Sequence, residues 1–418
     1  MTPISPAIHT KPTKLTLLFS SSILVLSMTG CGGGSDGSSS GNTGNGGTTP
    51  PVSSASFSET ATWQVTNLAP NTATCYDFDA KAESSCAEDK WDIKFDNQAR
   101  SVKLWSNSGD SGAGKGGVFG LIDWSDLSRY SNATQDPDTS RDITMHYNED
   151  RSGGVFAAKP WFEYNLQGYH QLYPNNRVYM VTTDSSSAMT DSSVQQPIYA
   201  LQITNYYNDT GDSGGYPTLR WIDTALPNQV QTQTFNATSN DDWVYVDLKT
   251  GQSSTDKDST WQIGFKRNDV ILNGGDSGSG KIGGYLAATP AGYYDAKDEP
   301  IVSQFITDGS AATLADLTST ADYDKPLSAR SWVIDSKGSD LNPAYTGNYP
   351  NLDFGWYTYN GMTHQLNAKP VDSAQGALIR SAEGNSYARV RLDKINYPDS
   401  TATTATSWEF KIDIQPAP

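Results

Sequence analysis

The sequence predicts an all-β protein, and three observations carry that expectation. Trp, Tyr and Phe make up 11% of the chain beside 37 glycines and 21 prolines, a composition suited to half-buried pleated strands joined by many turns. Short runs rich in β-branched and aromatic residues, several alternating with period two, lie between clusters of Gly, Asn, Asp and Pro. No stretch of ten or more residues holds an apolar face at helical spacing. A length of 418 residues suggests two or three domains.

The chain begins with a targeting pattern. Lys11 and Lys14 precede an apolar run from Leu15 to Leu26 that is too short to span a bilayer. Met28-Thr29-Gly30-Cys31 then places small residues directly before a cysteine, the arrangement of a bacterial lipoprotein signal over residues 1–30, with lipid on Cys31. Gly32, not Asp, follows the cysteine, so the resemblance to such lipoproteins implies an outer-membrane destination. Residues 31–55 are almost entirely Gly, Ser, Thr, Asn and Pro and are expected to form a flexible tether with a reach of about 25–30 Å. In an exported chain Cys75 and Cys86 are expected to pair as a disulfide; a metal pair is the alternative, without a nearby His or third Cys to support it.

With 29 Lys and Arg against 46 Asp and Glu, the net charge is −17, and it becomes −19 once the signal with its two lysines is removed. No basic stripe is available to displace phosphate counterions, which excludes nucleic acid, and docking on an anionic membrane by charge is excluded likewise.

The sequence also repeats itself. Ser108-Gly-Asp-Ser-Gly-Ala-Gly-Lys115 aligns with Gly274-Gly-Asp-Ser-Gly-Ser-Gly-Lys281, and the flanks follow. Trp91-Asp-Ile-Lys-Phe95 pairs with Trp261-Gln-Ile-Gly-Phe265, Trp161-Phe-Glu-Tyr-Asn165 with Trp356-Tyr-Thr-Tyr-Asn360, and His170-Gln-Leu172 with His364-Gln-Leu366. This predicts one unit of β structure present twice, over residues 56–228 and 229–418. Strands are expected at Val178–Val181, Leu201–Tyr206, Leu219–Ile222, Val244–Leu248, Ile263–Phe265, Val390–Leu392 and Trp408–Ile414.

The Gly-rich stretch resembles several catalytic motifs without meeting their requirements. A phosphate loop needs Ser or Thr after its lysine; Gly116 follows Lys115 and Ile282 follows Lys281. Gly278–Gly283 fits G-x-G-x-x-G but lacks a βαβ setting. A nucleophilic serine needs a histidine base oriented by a carboxylate, yet GDSG occurs three times, at 109, 211 and 275, twice without any equivalent histidine. Asp209–Asp212 lacks the ligand spacing of a calcium loop. The stretch is therefore expected to be a tight corner in which Gly takes positive-φ or crowded positions and Asp and Ser bond their own turn. No enzymatic activity is expected.

Trp91–Gly117 and Trp261–Gly284, together with the later Trp-x-x-Tyr-Asn and the Tyr-Ala strands, resemble the HmuY-like haem-binding lipoprotein family. The resemblance covers both copies. It implies two tandem all-β domains, haem as bound cargo, and delivery to an outer-membrane TonB-dependent receptor. It also implies axial His or Met ligands on the haem iron. In the first copy His146 and His170 are the candidates; in the second, Met362 and His364. For His170 and His364 a second reading stands beside ligation, that of equivalent hydrogen-bonded turn residues, and for His146 that of a surface histidine. Leu166 occupies a position where a ligand is expected and cannot ligate. With the abundant Trp and Tyr, that motivates an alternative function: a non-enzymatic surface β module binding polysaccharide or a protein partner without haem.

Overall fold

In the computed structural model, residues 56–87, 89–98, 101–186, 197–307, 309–319 and 332–418 are described. The signal, Cys31 and the tether lie outside them. The fold is built of antiparallel strands with a few single-turn helices.

Two lobes share one plan, and neither is contiguous with half of the sequence. The outer lobe holds a five-stranded sheet in the order Glu59–Val65, Ser407–Gln415, Tyr387–Asn396, Gln375–Arg380, Gly117–Asp123. A four-stranded sheet (Ala82–Ser84, Thr72–Asp77, Ile93–Gln98, Ser101–Ser106) packs on it. A second, Thr346–Asn348 to Gln365–Ala368, closes the same core. The inserted lobe repeats the plan with Gln231–Thr234, Gly214–Asp223, Ile198–Tyr207, Val178–Thr182 and Gly283–Ala288, covered by the sheet from Val244–Val246 to Asp269–Leu272 and by the hairpin Phe162–Tyr164/Leu172–Pro174.

The division at residue 228 is thereby corrected. Each lobe combines the front part of one sequence copy with the back part of the other. Glu59–Val65 pairs along its whole length with Ser407–Gln415, Trp63 opposite Phe410 and Val65 opposite Trp408. Trp63 and Val65 are fully buried, and the Trp63 ring stacks on Phe410 at 5.2 Å. In the inserted lobe Phe235, Ile263 and Phe265 fill the core with Leu201, Leu219 and Trp221. The chain leaves the outer lobe after Asp150, builds the inserted lobe, and returns after Asp335. The two crossing segments, Arg151–Gly153 and Ser336–Gly338, pair with each other as a short antiparallel ladder. Sequence similarity cannot reveal this, because both copies offer the same strand edges.

Cys75 and Cys86 form a disulfide across the turn after Thr72–Asp77, against Trp91 and Trp105.

Candidate functional site

The duplicated glycine corners come first, because they hold the crossing segments. Asn107 donates from Nδ2 to Trp91 O at 2.8 Å, and its Oδ1 accepts Gly114 N at 3.0 Å. Asn273 repeats both bonds with Trp261 O and Gly280 N, each at 3.0 Å. A Cβ on Gly112 or Gly278 would overlap the Oδ1 of that same asparagine, and one on Gly109 or Gly275 would overlap the carbonyl oxygen of Asp150 or Asp335. Both latter glycines are left-handed, with φ +49° and +61°. Asp110 and Asp276 do not bond their own turns as expected from the sequence. Their carboxylates accept Ser152 N and Lys337 N, the latter at 2.7 Å, and so clamp the crossing strands. The third GDSG is an ordinary hairpin loop, in which Asp212 Oδ1 accepts from Asn208 and Thr210.

Three carboxyls are buried around these corners. Asp92 accepts Phe78 N and Ala382 N, both at 2.7 Å, yet burial, reinforced by Asp77 and Glu383, raises its pKa to about 7. Burial likewise raises Asp150 to about 6 and Asp335 to about 6 against the opposing hydrogen bonds, including those from Ser106 N and Leu272 N. A carboxyl whose folded pKa is raised binds its proton more tightly in the folded state, so its contribution favours folding at low pH and is lost as pH rises from about 4 to about 7. Thermal melts are expected to show a Tm several degrees higher at pH 5 than at pH 8, with the difference reduced in Asp150→Asn and Asp335→Asn. A Tm that is flat or rises over that interval would refute this assignment.

The four ligand candidates fall in two lobes. His146 ends a single 3-10 turn, half-buried between the buried Ile143 and Tyr147 in the outer lobe. His170 lies in the turn of the inserted-lobe hairpin Phe162–Tyr164/Leu172–Pro174. His146 and His170, expected as a pair around one haem, fall in different lobes: the chain crosses at Arg151–Gly153 between them. His146 shares its lobe instead with Met362 and His364. Even so, Tyr147 packs on Tyr387 at the start of Tyr387–Asn396 (5.4 Å between rings), whereas Leu366, beside His364, bonds Tyr397 just beyond that strand's end. Ten extended residues separate the two positions by roughly 30 Å.

His170 and His364 are equivalent in detail. Both are left-handed, with φ 56° and 58°. Nδ1 of His170 bonds the Tyr164 hydroxyl at 2.9 Å and Nδ1 of His364 the Tyr359 hydroxyl at 2.8 Å. These are the hydrogen-bonded turn residues of the second reading, and the same bonds leave each Nε2 without a partner among the described residues. The turns differ in their surroundings. Leu166 packs inward on Tyr173, Tyr293 and Phe305. Its counterpart Gly361 instead lies under the Tyr349 ring, whose hydroxyl donates to Gly361 O at 3.2 Å. Met362, next along the chain, is 72% exposed and Tyr349 is 68% exposed. The turn thus carries a thioether and an imidazole nitrogen close in sequence to Gly361, which the Tyr349 ring covers, and both are donor types able to ligate a haem iron. Tyr349 and Asn107/Asn273 escaped the sequence reading; for the asparagines, the shared Asn two residues ahead of the GDSG at 109 and at 275 was the available signal.

Residues 239–410 match the family model described as HmuY protein. That match joins the front part of the inserted lobe to the back part of the outer lobe. Among solved structures, the apo HmuY analogue of Tannerella forsythia is similar at 16% identity, over 44% of this chain and 95% of that one, with a TM-score of 0.13. No curated protein matches the chain.

Proposed function

From the HmuY match over residues 239–410, we propose that this is a haem-binding lipoprotein, anchored at Cys31 on the outer membrane, that captures haem for a TonB-dependent receptor. No helix among the described residues is long and apolar enough to cross a membrane, so the reading places attachment on the lipidated cysteine. The observation that carries it is the turn Asn360–His364, inside the matched region, where Met362 and His364 are exposed and the Tyr349 ring lies over Gly361. In this reading the tyrosine ring receives the porphyrin face and Met362 or His364 offers a lone pair to the iron. Lys369, held by Asp353 at 2.8 Å, directly follows the strand Gln365–Ala368.

Hemin titration of the mature chain tests it. A shifted Soret band is expected, with affinity lowered at least tenfold by Met362→Ala combined with His364→Ala and little changed by His146→Ala or His170→Ala. Absence of a Soret shift would overturn haem binding, and a shift indifferent to Met362 and His364 would overturn the site.

A further inference from the structure

The two lobes can be compared strand by strand, and at one position they part. Across the outer-lobe sheet Thr62, Lys411, Arg391 and Gly376 stand in one row. The corresponding inserted-lobe row is Thr232, Arg220 and Gln202. There Arg220 and Gln202 are buried under the chain between Gly309 and Thr318, while Thr232 on the edge strand stays exposed: Arg220 donates to Ser310 O at 2.6 Å and Gln202 to Thr313 O at 3.1 Å. The segment supplying this cover, between Gly284 and Asp335, is much longer than its outer-lobe counterpart between Val118 and Asp150. In the outer lobe the row therefore stays open, as the floor of a groove of about 460 Å³ lined by Thr60, Thr62, Trp124, Arg391, Lys411 and Asp413. That volume falls within the roughly 300–1,000 Å³ usual for small-ligand clefts.

The chemistry of the floor restricts what fits. Each cation already has a carboxylate: Arg391–Asp393 at 2.7 Å, Lys411–Glu409 at 2.9 Å and Arg389–Asp413 at 2.7 Å. An anionic ligand would gain no unpaired charge, and an apolar one would strand these polar groups without water. The wall is an indole: the guanidinium groups of Arg391 and Arg389 lie 5.2 and 5.4 Å from the Trp124 ring centroid, so aromatic surface and planar donors adjoin. We propose that this groove binds a neutral oligosaccharide, a pyranose ring against Trp124 with its hydroxyls shared among Thr60, Thr62, Arg391, Lys411 and Asp413. The proposal is independent of the haem reading.

Calorimetric titration of the mature chain with cellohexaose, maltohexaose and chitohexaose tests it. At least one is expected to bind with Kd below 1 mM, and Trp124→Ala should weaken that binding at least tenfold. Because Trp124 also packs beside Gly376, the surface double variant Thr62→Ala, Lys411→Ala is the second arm, expected to cost at least fivefold with unchanged Tm. Failure of all three sugars to bind, or binding indifferent to both variants, would overturn the proposal, as would selective binding of a peptide or a polyanion to the same groove.

Discussion

Expressed separately, residues 56–228 and 229–418 are expected not to fold, whereas residues 151–338 are expected to fold alone. The first fragment carries Trp63, Val65, Phe78 and Phe95 without the Phe410, Ile412 and Ile414 that complete their core. It also carries Leu201 and Trp221 without Ile263 and Phe265. Regrouping within the fragment is opposed by contacts that the copies do not share. Arg389 donates to the carbonyls of Leu127, Ser128 and Tyr130, closing the outer lobe's helical turn, and Ala200 stands at the equivalent place in the other copy. Conversely, Gln202 and Arg220 need Ser310 and Thr313. The excised inserted lobe begins and ends in the paired strands Arg151–Gly153 and Ser336–Gly338, so cutting there keeps that ladder within the fragment and removes no core residue. Circular dichroism melts should give a cooperative transition for 151–338 and none for either half. A cooperative transition for 56–228 alone would contradict the arrangement.

Gly109→Ala and Gly275→Ala are expected to be among the most damaging single substitutions in the protein. Both glycines are left-handed, which costs an L-residue about 1–2 kcal/mol. Here the added methyl also meets a backbone carbonyl, Asp150 O or Asp335 O, on the crossing strand that the same corner holds. Relief would break the bonds from Asp110 N to Asp150 O and from Asp276 N to Asp335 O, both at 3.0 Å. A total of about 4 kcal/mol or more is expected for each. Gly168 and Gly211 serve as controls: φ is +79° and +75°, but nothing lies within 4 Å of the methyl that Ala would add, so the substitution should cost only about 1–2 kcal/mol. Denaturant unfolding measures the contrast; equal costs at all four positions would show that the corner is not crowded.

Much of this was legible in the sequence and some of it was not. Alternation along Val390–Leu392 and Trp408–Ile414 marks faces that do become core, because period-two burial is a local property of strands. The glycine corner was legible as a turn for the same local reason. What it holds was not, since Asp110 reaches Ser152 and Asp276 reaches Lys337 across spans that no local rule covers. The pairing of the lobes was hidden by the duplication itself. That concealment misdirected the ligand assignment, joining His146 to His170 because they are near in sequence, while Tyr349 beside Met362 depended on a turn packing over Gly361.

Which candidate ligands share a lobe follows from strand pairing, and paired cysteines read that pairing directly. Thr62 lies opposite Lys411, while the position equivalent to Lys411 in the other copy is Arg220. Neighbouring strands bring opposed Cβ atoms to roughly 4.5–5.5 Å, close enough for a disulfide after slight adjustment. Under mild oxidation the variant Thr62→Cys, Lys411→Cys should form an intramolecular crosslink in high yield, and Thr62→Cys, Arg220→Cys should not. Crosslinking through position 220 instead of 411 would contradict the exchange of halves on which the placement of Met362 and His364 rests.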